Sequence, residues 1–245
     1  MVYPKFMLAA AFLLFSLGAV RAEEDDYARQ RAAMVAEIEA NMAETAGFLG
    51  RKALSRPVAD ALGKVPRHLF VGEEMRPYAY QNRPLPIGHG QTISQPYIVA
   101  AMTELLDAKP GDKVLEIGTG SAYQAAVLGA LGTEVYSIEI VEPLAAAARE
   151  RLTKLGLSNI HTRTGDGYYG WPEAAPFDAV LVTAAASHIP PPLIKQLKPG
   201  GRMLIPVGDR FNVQQLVLVE KDPGQKIKTR QLLPVSFVPL TGIHP

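Results

Sequence analysis

The chain has 245 residues, with 25 basic and 24 acidic side chains for a formal net charge of +1, 48% hydrophobic residues and no cysteine. This length accommodates one domain of roughly 100 to 200 residues plus extensions, which excludes a large multidomain architecture, and the hydrophobic content excludes a disordered chain. The lack of cysteine removes disulfide scaffolds, cysteine-ligated zinc, iron–sulfur clusters and cysteine nucleophiles, and the balanced charge gives no electrostatic reason to expect nucleic acid.

The first 22 residues read as an address. Lys5 gives a positive start, Phe6 to Val20 is apolar apart from Ser16 and Gly18, and Val20-Arg21-Ala22 precedes the acidic Glu23-Glu24-Asp25-Asp26. This is the pattern of a secretory signal peptide with cleavage after Ala22. The apolar run is shorter than the ~20 residues of a membrane span, so an uncleaved membrane anchor is the weaker alternative. The expected product is an exported chain, periplasmic or secreted, of residues 23–245, with no stable membrane span. Removal of Lys5 and Arg21 turns its formal charge from +1 to −1.

Residues 25 to 47 carry Met34, Val35, Ile38 and Met42 at helical spacing, and a second short helix is expected over Val58 to Leu62. Residues 65 to 93 are broken by Pro66, Pro77, Pro84, Pro86, Gly72, Gly88 and Gly90 and read as an ordered loop. Ser94 to Leu106 reads as a helix with Pro96 in its first turn. Strands are expected at Lys113–Ile117, Glu134–Ile140, Ile160–Thr164, Phe177–Thr183 and Gly201–Val207, and helices at Tyr123–Leu131, Val141–Leu155 and Pro190–Leu197. Two last strands, Gln214–Glu220 and Lys226–Pro234, follow a turn at Asp209–Asn212 and are joined closely enough to form an antiparallel hairpin. Strand–helix alternation with apolar strands predicts an α/β fold. Its doubly wound, Rossmann-like sheet is mostly parallel, with helices on both faces, the N-terminal helices and a C-terminal antiparallel hairpin. Residues 23–245 are expected to form a single domain, with 23–93 as an N-terminal extension and 94–245 as the cofactor-binding core.

The first core strand runs into Glu116-Ile117-Gly118-Thr119-Gly120-Ser121-Ala122. A strand, a tight glycine turn and a helix mark a nucleotide-type cofactor site at the carboxyl end of a doubly wound sheet. Glu139 at the end of the next strand suits a carboxylate that accepts both ribose hydroxyls of an adenosine, though a solvated strand end has the same spacing. Asp166, in Gly165-Asp166-Gly167, suits an adenine amino group or an ordinary turn. NAD and S-adenosylmethionine both fit so far; Tyr123, where the dinucleotide fingerprint has its third glycine, counts against NAD. Ser94 precedes a helix and, from its spacing alone, reads first as the N-cap of that helix and only second as a site residue. The five histidines show no metal spacing, so no metal site is expected. His188 and the aromatics Tyr168, Tyr169 and Trp171 are weaker candidates for a substrate wall.

Several segments together resemble the protein-L-isoaspartate O-methyltransferase family. They are Val65-Pro66-Arg67-His68-Leu69-Phe70-Val71, Leu85-Pro86-Ile87-Gly88, Gly90-Gln91-Thr92-Ile93-Ser94-Gln95-Pro96-Tyr97, Val114 to Ser121, Gly165-Asp166-Gly167, Ala175 to Ala179, Gln196 to Gly201 and Val238-Pro239-Leu240-Thr241. They run in family order from about residue 50 to the end, and the segment from Gly90 to Pro96 is the most specific. The resemblance implies S-adenosylmethionine as cofactor and isoaspartyl-containing proteins or peptides as substrates. By position, Ser94 matches the active-site serine, and Glu116, Gly118 and Gly120 match the motif that holds the methionine part of the cofactor. Glu139 matches the ribose position, Asp166 and Gly167 the adenine-side motif, and Thr241 a threonine of the C-terminal segment that closes over the site. A monomer is expected. The chain departs from the family at Ala122, where glycine is usual. A methyl group there would crowd the cofactor, or strain the backbone if φ is positive. Ala122 and export favour one alternative to the enzyme, an exported, catalytically weak isoaspartyl-peptide or cofactor-binding protein; a small-molecule methyltransferase or NAD enzyme on the same scaffold is a further alternative, against which the segment from Gly90 to Pro96 counts.

Overall fold

A computed structural model describes residues 5–208 and 213–243, with side chains described from residue 23 onward. The expected turn at 209–212 and the side chains of the expected signal segment therefore lie outside the described residues. Helix α1 (Lys5–Glu44) is one continuous helix, longer than the periodicity predicts, and α2 (Ala46–Leu49) ends on the left-handed Gly50. Met34, Ile38 and Met42 are buried, as their spacing requires. Helix α3 (Arg56–Lys64) follows, with Pro57 in its first turn.

The proline- and glycine-rich stretch is better ordered than a loop. Two 3-10 turns, Arg67–Phe70 and Glu73–Tyr78, lead into a small antiparallel pair, β1 (Leu85–Gly88) and β2 (Gln91–Ile93). Helix α4 (Pro96–Leu106) starts two residues later than expected.

The core alternates β3 (Lys113–Ile117), α5 (Tyr123–Ala130), β4 (Glu134–Glu139), α6 (Glu142–Lys154), β5 (Ile160–Thr164) and β6 (Phe177–Val182). It then runs through α7 (Pro191–Gln196), β7 (Leu197–Val207), β8 (Gln214–Lys221) and β9 (Ile227–Val235). The seven-stranded sheet has the order β5-β4-β3-β6-β7-β8-β9. Strands β5 to β7 pair in parallel, and β8 and β9 close the sheet as an antiparallel hairpin, as the short connection predicts. Among the described residues no helix is long and apolar enough to cross a membrane.

Strand β3 is central, with β4 on one side and β6 on the other. Its side chains alternate between faces. Leu115 and Ile117 enter the apolar cluster on the α7 face, with Leu193 and Leu197, while Val114 enters the larger cluster with α1, α3, α4 and α5. Glu116 shares Val114's face and is fully buried. The order of connections reverses at β3, so its carboxyl end is the switch point where such sheets open a crevice.

Candidate functional site

The glycine turn after β3 occupies that crevice. Gly118 (φ +95) and Gly120 (φ +51) both take left-handed backbone angles, and a Cβ on Gly118 would stand 2.5 Å from Thr183 Oγ. Glycine suits this position because the left-handed backbone angle and the Thr183 hydroxyl leave little room for a side chain. The turn is tied to β4 by Gly118 N–H and Thr119 N–H, which donate to Ile138 O at 2.8 and 3.2 Å.

Glu139 ends β4 beside the turn. Its two carboxylate oxygens accept from Gly120 N–H at 2.7 Å and Val141 N–H at 2.9 Å. One acceptor position on each oxygen remains for another donor. Both glycines, Glu139, Ser94, Gly167 and Thr241 line one cavity at the strand ends, with apolar contributions from Ile93, Ile117, Ile140 and Leu240. Six of the eight residues expected at the site therefore meet in one place.

The other two sit behind the wall. Glu116 does not line the cavity; its Oε2 is hydrogen-bonded to Ser137 Oγ, whose oxygen lies 2.6 Å from Thr119 Oγ. Burial pushes the Glu116 carboxyl up to about 8, against the opposing bond from Ser137 and with a further push from Glu139. It is thus a neutral acid at neutral pH, tied to the turn through two hydroxyls. Asp166 precedes Gly167 and is turned to the C-terminal segment, where its oxygens accept from Tyr168 N–H at 3.0 Å and Ile243 N–H at 3.1 Å.

Ser94 lies between β2 and α4. It lines this cavity and also a second one formed by Pro84, Ile98, Pro234, Phe237 and Val238. It is the point where the two cavities meet, together with Thr92, Thr183 and Val238. Ser94 is not the N-cap of α4; that position is Gln95, and no side chain caps it locally. The Tyr97 N–H, in the first turn of α4, instead donates to Asn82 Oδ1 at 3.0 Å. The Ser94 hydroxyl is thereby released from a capping role that its sequence position allows.

Ala122 does adopt a left-handed φ of +69. Its methyl is buried in the helix-side core and does not line the cavity. The strain expected at this departure is present, and the crowding is not. Sequence reasoning missed Thr183, whose Oγ lies 2.9 Å from Ile117 O and 2.8 Å from Gly118 O, and Ile140. Their place at the carboxyl ends of β6 and β4 was the available signal. His188 packs against Tyr168, 3.2 Å from its hydroxyl, and neither lines the glycine-turn cavity. Among the described residues no group of three or more His, Asp or Glu side chains is placed to hold a metal ion.

Known proteins resemble this chain over most of its length. A family model described as protein-L-isoaspartate(D-aspartate) O-methyltransferase matches residues 49–244. The chain is 58% identical over 239 residues to protein-L-isoaspartate O-methyltransferase 2 of Syntrophobacter fumaroxidans, covering 98% of this chain and 97% of that one. It is 64% identical over 209 residues to protein-L-isoaspartate O-methyltransferase 2 of a Polaromonas species, covering 85% of this chain and 99% of that one. A solved structure described as a Plasmodium falciparum protein-L-isoaspartate O-methyltransferase in complex with S-adenosyl-L-homocysteine superposes with a TM-score of 0.69 at 26% identity, covering 82% of this chain and 97% of that one.

Proposed function

The chain belongs to the protein-L-isoaspartate(D-aspartate) O-methyltransferase family, and from that premise we propose that it methylates the α-carboxyl of L-isoaspartyl residues in damaged proteins, with S-adenosylmethionine as donor. The observation that carries the reading is the position of Ser94, on the wall shared by the glycine-turn cavity and a second one lined by both apolar and polar side chains. A methyl transferase for a peptide carboxylate needs such a junction between two ligands.

The residues present fit the cofactor. Gly118 and Gly120 present bare backbone to it, Glu139 keeps acceptor capacity for ribose hydroxyls, and Ile140, Gly167 and Thr241 complete the wall. Glu116 serves it at one remove, by holding Ser137 and Thr119 beneath the turn. Asp166 serves through Gly167 and through its hold on the C-terminal segment. When bound, S-adenosylmethionine supplies a methyl group on a positively charged sulfur.

The chain's own contribution is positioning. A peptide carboxyl with an ordinary pKa near ~4 is already ionised at neutral pH, so no general base is required. The Ser94 hydroxyl donates to one carboxylate oxygen and orients the nucleophile without neutralising it. Ile98, Phe237 and Val238 give the acceptor side an apolar face, beside the polar Thr92, Gln95 and Ser236. We read residues 23–245 as one domain, because α1 and the sheet share a core cluster. The binding-protein alternative loses its structural support, since Ala122 faces the core.

The test compares transfer of labelled methyl to an isoaspartyl peptide and to its normal aspartyl twin, using residues 23–245. Transfer to the isoaspartyl peptide alone is expected. Equal transfer to both, or none by folded protein, overturns the reading. Export is proposed on the pattern of residues 1–22. The extracytoplasmic fraction of expressing cells should then hold protein whose first residue is Glu23; an intact Met1 form confined to the cytosol would sink this part.

A further inference from the structure

Arg67 is the largest fully buried side chain among the described residues, and neither cavity includes it. No acidic group pairs with it among the described residues. Its guanidinium instead spans three pieces of chain. Nε donates to Ala79 O at 2.8 Å, Nη2 donates to Ser94 O at 2.7 Å, and the guanidinium carbon stands 4.7 Å from the centroid of the Tyr123 ring. Nη1 finds no hydrogen-bond partner among the described residues.

Burying a charge without a counter-charge is costly, and carbonyl dipoles and an aromatic face recover only part of that cost. A neutral residue would be the cheaper way to fill this space. The three partners explain what the charge accomplishes. Ser94 is the residue at the junction of the two cavities. Tyr123 is the first residue of α5, directly after the glycine turn, and itself lines the cofactor cavity. Ala79 anchors the 3-10 segment that precedes the β1–β2 pair. Holding the Ser94 carbonyl fixes the peptide plane on which the hydroxyl's direction depends, and holding it against Tyr123 fixes its distance from the glycine turn.

We propose that Arg67 is a positioning residue for methyl transfer, locking the Ser94 backbone against the start of the helix that follows the glycine turn. The inference rests on the reading of Ser94 given above. A planar guanidinium bonding through two different nitrogens holds two carbonyls at a fixed angle, which the point charge of lysine does not.

The experiment uses residues 23–245 and measures kcat and KM for an isoaspartyl peptide, with S-adenosylhomocysteine binding by calorimetry. The variants are Arg67→Lys, Arg67→Gln, Ser94→Ala and each Arg67 variant combined with Ser94→Ala. Arg67→Gln removes the unpaired charge and so guards against a misfolded lysine variant. Misplacement of a positioned group by about 1 Å costs on the order of 10²-fold. A kcat loss of that order is expected, with S-adenosylhomocysteine affinity kept within about twofold. In the Ser94→Ala background the Arg67 changes should cost little more, because the residue they act through is gone. Additive losses, or cofactor affinity falling in step with kcat, would mean that Arg67 only supports the fold. Inactive wild-type protein would instead refute the functional reading, and the inference with it, before any variant is compared.

Discussion

Glu116 shows how far one residue's surroundings can change its chemistry. Read as a sequence, it is the acidic partner of a glycine motif; in the fold it is fully buried, and its carboxyl is pushed from an ordinary 4.5 to about 8, chiefly by burial. Between those values the folded state keeps a proton that the unfolded chain releases. Stability must therefore fall as pH rises through the window, and the contribution is complete only below about 4.5. Glu116→Gln cannot ionise, so the melting temperature of this variant relative to wild type should climb from acid to alkaline pH. A difference that does not change with pH would show that Glu116 is not held neutral. Ala122 provides a second case. Ala122→Gly relieves roughly 1–2 kcal/mol of left-handed strain, loses a buried methyl worth about 0.8 kcal/mol and adds about 0.5–1 kcal/mol of unfolded-state entropy. Stability within about 1 kcal/mol of wild type is expected. Cofactor affinity should not change, because the methyl faces the core; tighter binding would mean that it crowds the site after all.

At the scale of elements, the glycine turn works because β3 lies between β4 and β6. The Ile138 carbonyl of β4 anchors its amides, and Thr183, just past β6, fills the space opposite Gly118. Gly118→Ala meets Thr183 and a φ of +95 together. A stability loss of about 1–3 kcal/mol is expected, with cofactor binding weakened further, as read by a denaturant midpoint and a titration with S-adenosylhomocysteine. Unchanged binding would place the cofactor away from this turn. The strand–helix alternation of this region was legible, since short apolar runs such as Lys113–Ile117, set between Gly111 and Gly118, have few other readings. The β1–β2 pair was not. Its strands have four and three residues and contain Pro86 and Gly88, too short and irregular to show a period of two. The cap of α4 was missed for a related reason: Asn82 reaches Tyr97 from another turn, and local spacing favoured Ser94.

At the scale of the molecule, α1 lies ahead of the family match at residues 49–244, yet it belongs to the core. Met34, Ile38 and Met42 are at most 1% exposed, within the same cluster as Leu62, Val99 and Met102. Thr45 and Tyr97 hydrogen-bond at 2.6 Å where the end of α1 meets α4. The extension thus braces α4, whose first turn follows Ser94. Ile38→Ala should cost about 2–5 kcal/mol in equilibrium unfolding, the range for a fully buried large-to-small change. A cost under about 1 kcal/mol, as for a surface substitution, would mean that α1 is only loosely docked.

By itself, the sequence determined the fold class, the order of the core elements and the family, because these follow from local periodicity and from motifs whose residues are close in the chain. It also brought forward most of the site, since Gly118, Gly120, Glu139 and Gly167 lie at strand ends that the parallel topology brings together. The tertiary structure decided what no spacing contains: that Ser94 stands between two cavities and caps nothing, that Glu116 lies beneath the wall as a neutral acid, and that Ala122 turns its methyl to the core. It also decided that Arg67 reaches across three segments to hold the serine in place. Each of these depends on burial and on contacts between residues distant in sequence, which hydrophobic patterning does not encode.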